Sequence, residues 1–342
     1  MMALRDGRLR AWCAAALLWL SAVALLPSAA LGAAPADLYE VFVPVTEDRD
    51  AALAAALRTV VIRVSGRRDA PDRLGDALAS PWNYAQRSGL TADGMLQVGF
   101  DSLSIDRLLT GAGLPVWGRE RPATLVWLQV QDRDGTAFWL GADTLAIERD
   151  ALERAAHERG VPLIWPALDF DERQTMHAQA GDDELLRSAA RYGANAVLLG
   201  RARRDGGEVS WTLLSGGETR HVTGSLEDGV HLAADTFAAL YAATGSSLQE
   251  IGVEVAGISN LDAYAATLNY LENMTLVRSV TVDRVAGDRV RFRLAVRGDE
   301  AALLRALALD TRLAPAAPTV DRGLGADAAA AAGAPLQLRY QP

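Results

Sequence analysis

The residues whose spacing points most directly to chemistry are arginines. Arg289-Val290-Arg291-Phe292-Arg293-Leu294-Ala295-Val296-Arg297 alternates with period two. In a β-strand, Val290, Phe292, Leu294 and Val296 then face a core, and Arg289, Arg291, Arg293 and Arg297 share the opposite face. Like charges stacked along one face repel unless they are countered. Asp283 and Glu254, on what read as neighbouring strands, can counter them. Two readings stay open: a solvated, neutralised sheet face, or a docking surface for an acidic partner, another domain or a phosphate-bearing component.

Catalytic constellations find less support. Leu168-Asp169-Phe170-Asp171-Glu172 follows an apolar run and invites a haloacid-dehalogenase reading, with Asp169 as nucleophile and Asp171 as acid. That chemistry needs carboxylates at a strand end to hold Mg²⁺. Here Arg173 stands where Thr or Val is wanted and the later lysine is missing, so the string reads as a solvated acidic loop. His157, His177, His221 and His231 are scattered, without the i,i+4 spacing of a zinc site. Ser65-Gly66, Ser215-Gly216-Gly217 and Asp132-Arg133-Asp134-Gly135 read as turns. Trp127 and Trp165 lie in apolar runs and read as core, whereas Trp82 and Trp117, beside Pro81 and Gly118, read as surface rings. No catalytic residue, metal ligand or cofactor is assigned.

Composition narrows the field further. Half of the 342 residues are hydrophobic and 23% are charged, as suits a chain with a real core. The net charge of −9 argues against a general nucleic-acid grip. All 34 basic residues are arginine. Without lysine the chain cannot be a P-loop NTPase, a protein kinase or a pyridoxal-phosphate enzyme, each of which needs a lysine amine at the chemistry.

The N-terminus reads as an export signal. Arg5, Arg8 and Arg10 precede the uncharged stretch from Ala11 to Leu26, and Pro27 and a run of small residues follow. Residues 1–36 are therefore expected to be a signal peptide, removed on entry to the periplasm. The single cysteine, Cys13, falls within it, at the start of that stretch and not after it, where it cannot serve as a lipoprotein anchor. The remaining chain is expected to fold without disulfides. No later apolar run reaches the roughly 20 residues of a membrane-spanning helix.

The elements that position these residues read as an α/β (α+β) chain of tandem small modules with mixed sheets. A first module, 37–118, has a strand at 38–45, a helix at 48–64, a long Pro/Asp/Arg-rich loop, a strand at 96–100 and a helix at 102–109. A second, 119–245, starts with the apolar run Thr124–Val130. It continues with a helix at 143–159, a strand at 161–165, a helix at 182–192, strands at 196–200, 209–213 and 221–226, and a closing helix at 230–243. A third, 246–311, reads β-α-β-β-α, a split sheet. Asn260 starts its helix, Leu261, Tyr264, Leu268 and Leu271 share a face of it, and Ala286-Gly287-Asp288 turns its hairpin. Residues 312–335 read as a flexible Ala/Pro linker. Residues 336–342 read as a terminal strand that could return to a sheet edge or bind a partner.

Several unusual strings occur in order. They are Arg63-Val64-Ser65-Gly66-Arg67, Ala112-Gly113-Leu114-Pro115-Val116-Trp117-Gly118, Arg121-Pro122, Gly160-Val161-Pro162-Leu163 and Ala190-Arg191-Tyr192-Gly193-Ala194. Through them, residues 38–310 resemble a secreted proteobacterial family catalogued as domain of unknown function number two thousand and sixty-six. The step at 182–200, ending in Tyr192-Gly193-Ala194-Asn195-Ala196, is also similar to periplasmic modules of the TolB N-terminal and CsgG/LpoB type. These likenesses imply a periplasmic, protein-contacting module of the Gram-negative envelope rather than an enzyme. The expectation is a non-enzymatic accessory protein that meets an envelope protein partner through Arg289, Arg291, Arg293 and Arg297 and binds no nucleic acid, with its oligomeric state left open. The alternative is an envelope enzyme or ligand-binding protein using a cleft between modules.

Overall fold

A computed structural model describes residues 38–45, 48–177, 181–245, 247–316 and 334–341. The expected signal peptide lies outside the described residues, as does most of the expected linker, 317–333.

Three sheets follow one another along the chain, and the α/β class read from the sequence holds. In the first, β1 (Glu40–Pro44), β2 (Ala85–Leu90) and β3 (Met95–Phe100) pair antiparallel in the order β1-β3-β2. Helix α1 (Arg49–Ser65) packs on it through Leu53, Leu57, Val60, Val61 and Val64. Asp48 caps the helix by accepting from the Ala51 amide at 3.0 Å, and Gly66 ends it at φ +70°. A Cβ on Gly66 would meet the Ala238 methyl at 2.3 Å, so this glycine is needed for space as well as for conformation. The short helix α2 (Ala70–Leu74) and strand β2 occupy part of the expected loop. Ala85-Gln86-Arg87-Ser88-Gly89-Leu90 has no apolar alternation, because β2 is exposed nearly throughout, so nothing in its pattern announced a strand. Helix α3 (Ser102–Gly111) follows, capped by Asp101.

In the second sheet, β4 (Thr124–Gln131) runs parallel to β7 (Ala196–Arg203). At its start it also pairs in parallel with the two-residue β6 (Leu163–Ile164), and at its end it pairs antiparallel with β5 (Ala137–Trp139). Strands β8 (Val209–Ser215) and β9 (Glu218–Gly224) extend the sheet antiparallel. Val126, Leu128 and Val130 of β4 join one core with α4 (Ile147–Arg159) and α7 (Asp228–Tyr241). Leu125 and Trp127 join another with α6 (Asp182–Arg191). Both faces are covered, which is why β4 reads as one continuous apolar run. The strand expected at 161–165 shrinks to two residues between Pro162 and Pro166, and an unexpected helix α5 (Phe170–His177) occupies the acidic string.

The third sheet contains β10 (Leu248–Ala256), β11 (Val277–Ala286), β12 (Arg289–Arg297), β13 (Leu313–Pro315) and β14 (Leu336–Tyr340), in the order β11-β12-β10-β14-β13. Helices α8 (Leu261–Asn273) and α9 (Glu300–Leu307) cover one face, with Leu271, Leu303 and Leu307 against Val253, Phe292 and Leu294. Leu261 does not join its expected face: it is 77% exposed at the first turn, next to the Asn260 cap. The terminal strand neither stands free nor takes the outermost edge. It lies parallel to β10 and antiparallel to β13, with Leu338 in the core. The segment read as linker thus begins with a strand, β13.

Candidate functional site

The alternation of β12 is as read: Val290, Phe292, Leu294 and Val296 are buried and the arginines point away. Glu254 of β10 stands opposite Arg291 and accepts from it at 3.0 Å and from Arg289 at 3.5 Å. Asp283, in the bulge of β11, holds Arg293 at 2.6 Å. The carboxylates named from the sequence therefore do counter the stripe, each across one ladder. Register adds two arginines that the one-strand pattern could not show. Arg284 lies opposite Arg291 on β11, and Arg339 of β14 pairs with Ala256, which in turn pairs with Arg289. Among the described residues neither has an ion-pair partner. The stripe is thus a patch across four strands in which cations outnumber carboxylates. Arg297, at the far end of β12, stands apart from it and lines a cleft next to Asp106.

A second group of arginines, not singled out in the sequence, is buried. Arg121 is 9% exposed and lies 3.7 Å over the Trp117 ring. It donates to the carbonyls of Trp117 at 2.7 Å, Gly118 at 2.8 Å, Arg63 at 2.8 Å, Gly160 at 3.0 Å and Arg159 at 3.2 Å. Three of these carbonyls lie at the C-terminal ends of α1 and α4, where the helix dipole favours a cation. Burial first, then the neighbouring Arg63 charge, pulls the Arg121 pKa down to about 9, which leaves it charged at neutral pH. Arg159 joins the same two units, donating to the Gly66 carbonyl at 2.9 Å and to Asp235 at 2.6 Å, with His231 Nδ1 at 3.1 Å.

The third unit meets the same stretch. Thr275 accepts from the Arg119 amide at 3.1 Å and donates its own amide to Glu120 at 2.8 Å. A Cβ on Gly118 would lie 1.8 Å from the Thr275 hydroxyl. Val116 and Ala243 exchange amide bonds at 2.9 Å in both directions. Residues 116–121 are therefore a hub touched by all three sheet units. The strings at 63–67, 112–118, 121–122 and 160–163 converge on it. Their unusual chemistry is that of a joint: a buried guanidinium, glycines with no room for a methyl, and a stacked indole. Trp117, expected as a surface ring, is fully buried here because Arg121 covers it, while Trp82 is 47% exposed as expected.

The acidic string is also structural. Asp169 caps α5 by accepting from the Glu172 amide at 2.8 Å, and Glu172 reaches back to the Leu168 amide at 2.8 Å, close to a capping box. Glu172 is 2% exposed and accepts from the Tyr192 hydroxyl and from Arg191 at 3.4 Å. Burial pushes the Tyr192 phenol up to about 12. Among the described residues no group of His, Cys, Asp and Glu is arranged to hold a metal ion, and no helix is long and apolar enough to cross a membrane.

Residues 33–118 match the family described as Domain of unknown function (DUF8605). That span ends at the hub and takes in the first sheet with α1 to α3. It supports the likeness to a family of unknown function for this unit, under a different number from the one the strings suggested. No curated protein and no solved structure matches the chain.

Proposed function

We propose that this chain is a non-enzymatic interaction protein of the Gram-negative cell envelope, carried to the periplasm by residues 1–36, and that it docks an acidic protein partner on the outward face of its third sheet. The observation that carries this reading is the patch itself: Arg284, Arg289, Arg291, Arg293 and Arg339 share one face with Glu250, Glu254 and Asp283, a local excess of positive charge on an acidic chain. Such a face attracts a partner of opposite sign and fixes its orientation. The finer family likeness over 38–310 and the TolB-type likeness of 182–200 agree with an accessory role in the envelope.

The test is capture from the native host's envelope with wild-type protein and with Arg284→Gln/Arg289→Gln/Arg291→Gln/Arg293→Gln. The reading expects a partner with an acidic surface that is held by wild type, weakened by rising salt and lost by the variant. It fails if the folded variant captures the same proteins, or if N-terminal sequencing of periplasmic material finds no processed chain. A second reading, ligand binding between modules, is favoured by the cleft that Arg297 borders.

A further inference from the structure

Between the first and third sheet units lies a cleft of about 360 Å³, within the size range of small-molecule sites, which favour such junctions. The residue before β1, helix α3, the hub and the turn into β11 all contribute to its walls. On the first unit's side the half-buried Tyr39 hydroxyl donates to Asp106 at 2.8 Å. Burial raises the pKa of both groups, while the Arg297 charge draws Asp106 back down. Arg119, Arg278 and Arg297 line the cleft from the hub and the third unit, as does Glu272. Among the described residues none of these three arginines has a carboxylate within 4 Å, in contrast to Arg289, Arg291 and Arg293. Asp106 already holds the Tyr39 hydroxyl. The cleft is therefore lined by three arginines outside any ion pair among the described residues, against two carboxylates, Asp106 and Glu272.

We infer that this cleft binds a small molecule through a phosphate or carboxylate group held by Arg119 and Arg297. A guanidinium fork matches either oxyanion with two parallel hydrogen bonds, and a recessed site between two units strengthens them over an open surface. The inference concerns a different surface from the proposed docking face, and either can fail without the other.

The experiment is calorimetric titration of the exported protein with inorganic phosphate and, separately, with succinate, against sodium chloride at matched ionic strength. Saturable binding is expected for at least one of the two, and which one binds tells phosphate from carboxylate. Arg119→Gln/Arg297→Gln should weaken that binding at least tenfold, and Arg289→Gln/Arg291→Gln/Arg293→Gln should leave it unchanged. The single variant Arg119→Gln, at an exposed position, provides the same reading if the double variant melts early, with a loss of several-fold expected. The inference is overturned if neither anion binds beyond chloride, if the cleft variants bind as wild type does, or if the patch variant loses binding equally.

Discussion

Arg121 and Arg291 are the same side chain used in opposite ways. Arg291 is half-buried and faces Glu254 across one strand ladder, with its charged end still reached by water. Arg121 is out of water and, among the described residues, has no carboxylate in an ion pair with it; it is surrounded by main-chain carbonyls, most of them at the ends of two helices. A buried guanidinium is costly unless its donors are met. The hub meets them with oxygens that those helices leave unpaired anyway. The exposed pairs gain little, because water competes for both partners. Charge at the hub therefore holds the fold together, while charge on the patch contributes little to it.

The largest effect that would break this contrast is at Arg121. Arg121→Ala strands carbonyls of both helix ends and uncovers Trp117, and should cost about 3 kcal/mol or more in urea unfolding. Arg121→Lys should not restore it, since an ammonium cannot span two helix ends with a planar fork. An exposed-type loss below about 0.5 kcal/mol would put the hub in the same class as the patch. Next is Phe292, on the inner face of the arginine strand and fully buried. Phe292→Ala should cost about 3–5 kcal/mol by the same measurement, so that neighbouring positions of one strand differ by strand face alone.

Acid titration sharpens the comparison from the hub's side. Burial first, then Arg159 and Arg68, hold the His231 pKa below its ordinary value, so the folded protein keeps His231 neutral where the unfolded chain already takes up a proton. Stability is then full above about pH 6.5 and falls as the pH drops toward the folded value. His231→Gln should flatten that part of the stability profile between about pH 7 and pH 5; an unchanged slope would show that His231 is not its source. The smallest effect belongs to the patch. Arg289→Gln/Arg291→Gln/Arg293→Gln should shift stability by no more than about 0.5 kcal/mol per site, and a thermal melt that collapses would make those arginines structural.

How much of this was legible varies with the range of the signal. The strand at 289–297, the Asn260 cap, the Gly287 turn and the pairing of Glu254 and Asp283 with the stripe follow from local periodicity and nearest-strand chemistry, and they stand. Strand β2 was invisible because an exposed edge needs no apolar alternation. Trp117 was misplaced because a neighbouring Gly and Pro suggest a loop at the surface, and only the fold brings Arg121 over its ring. The hub had one signal, the density of unusual strings around Gly66, Trp117, Arg121 and Gly160, but nothing local said that they meet.

By itself, then, the sequence determined the α/β class and the faces of the main strands, because period-two and helical patterns, caps and turns act over a few residues. The tertiary structure alone decided three things. It gathered Arg63, Arg121 and Arg159 at the ends of two helices, widened a stripe into a patch through Arg284 and Arg339, and placed β14 between β10 and β13. Apart from Arg284, which faces Arg291 across the Gly287 hairpin, each depends on partners tens of residues or more apart. Pairing at that distance is selected by packing and by the need to satisfy buried donors, neither of which is written in any short stretch of chain.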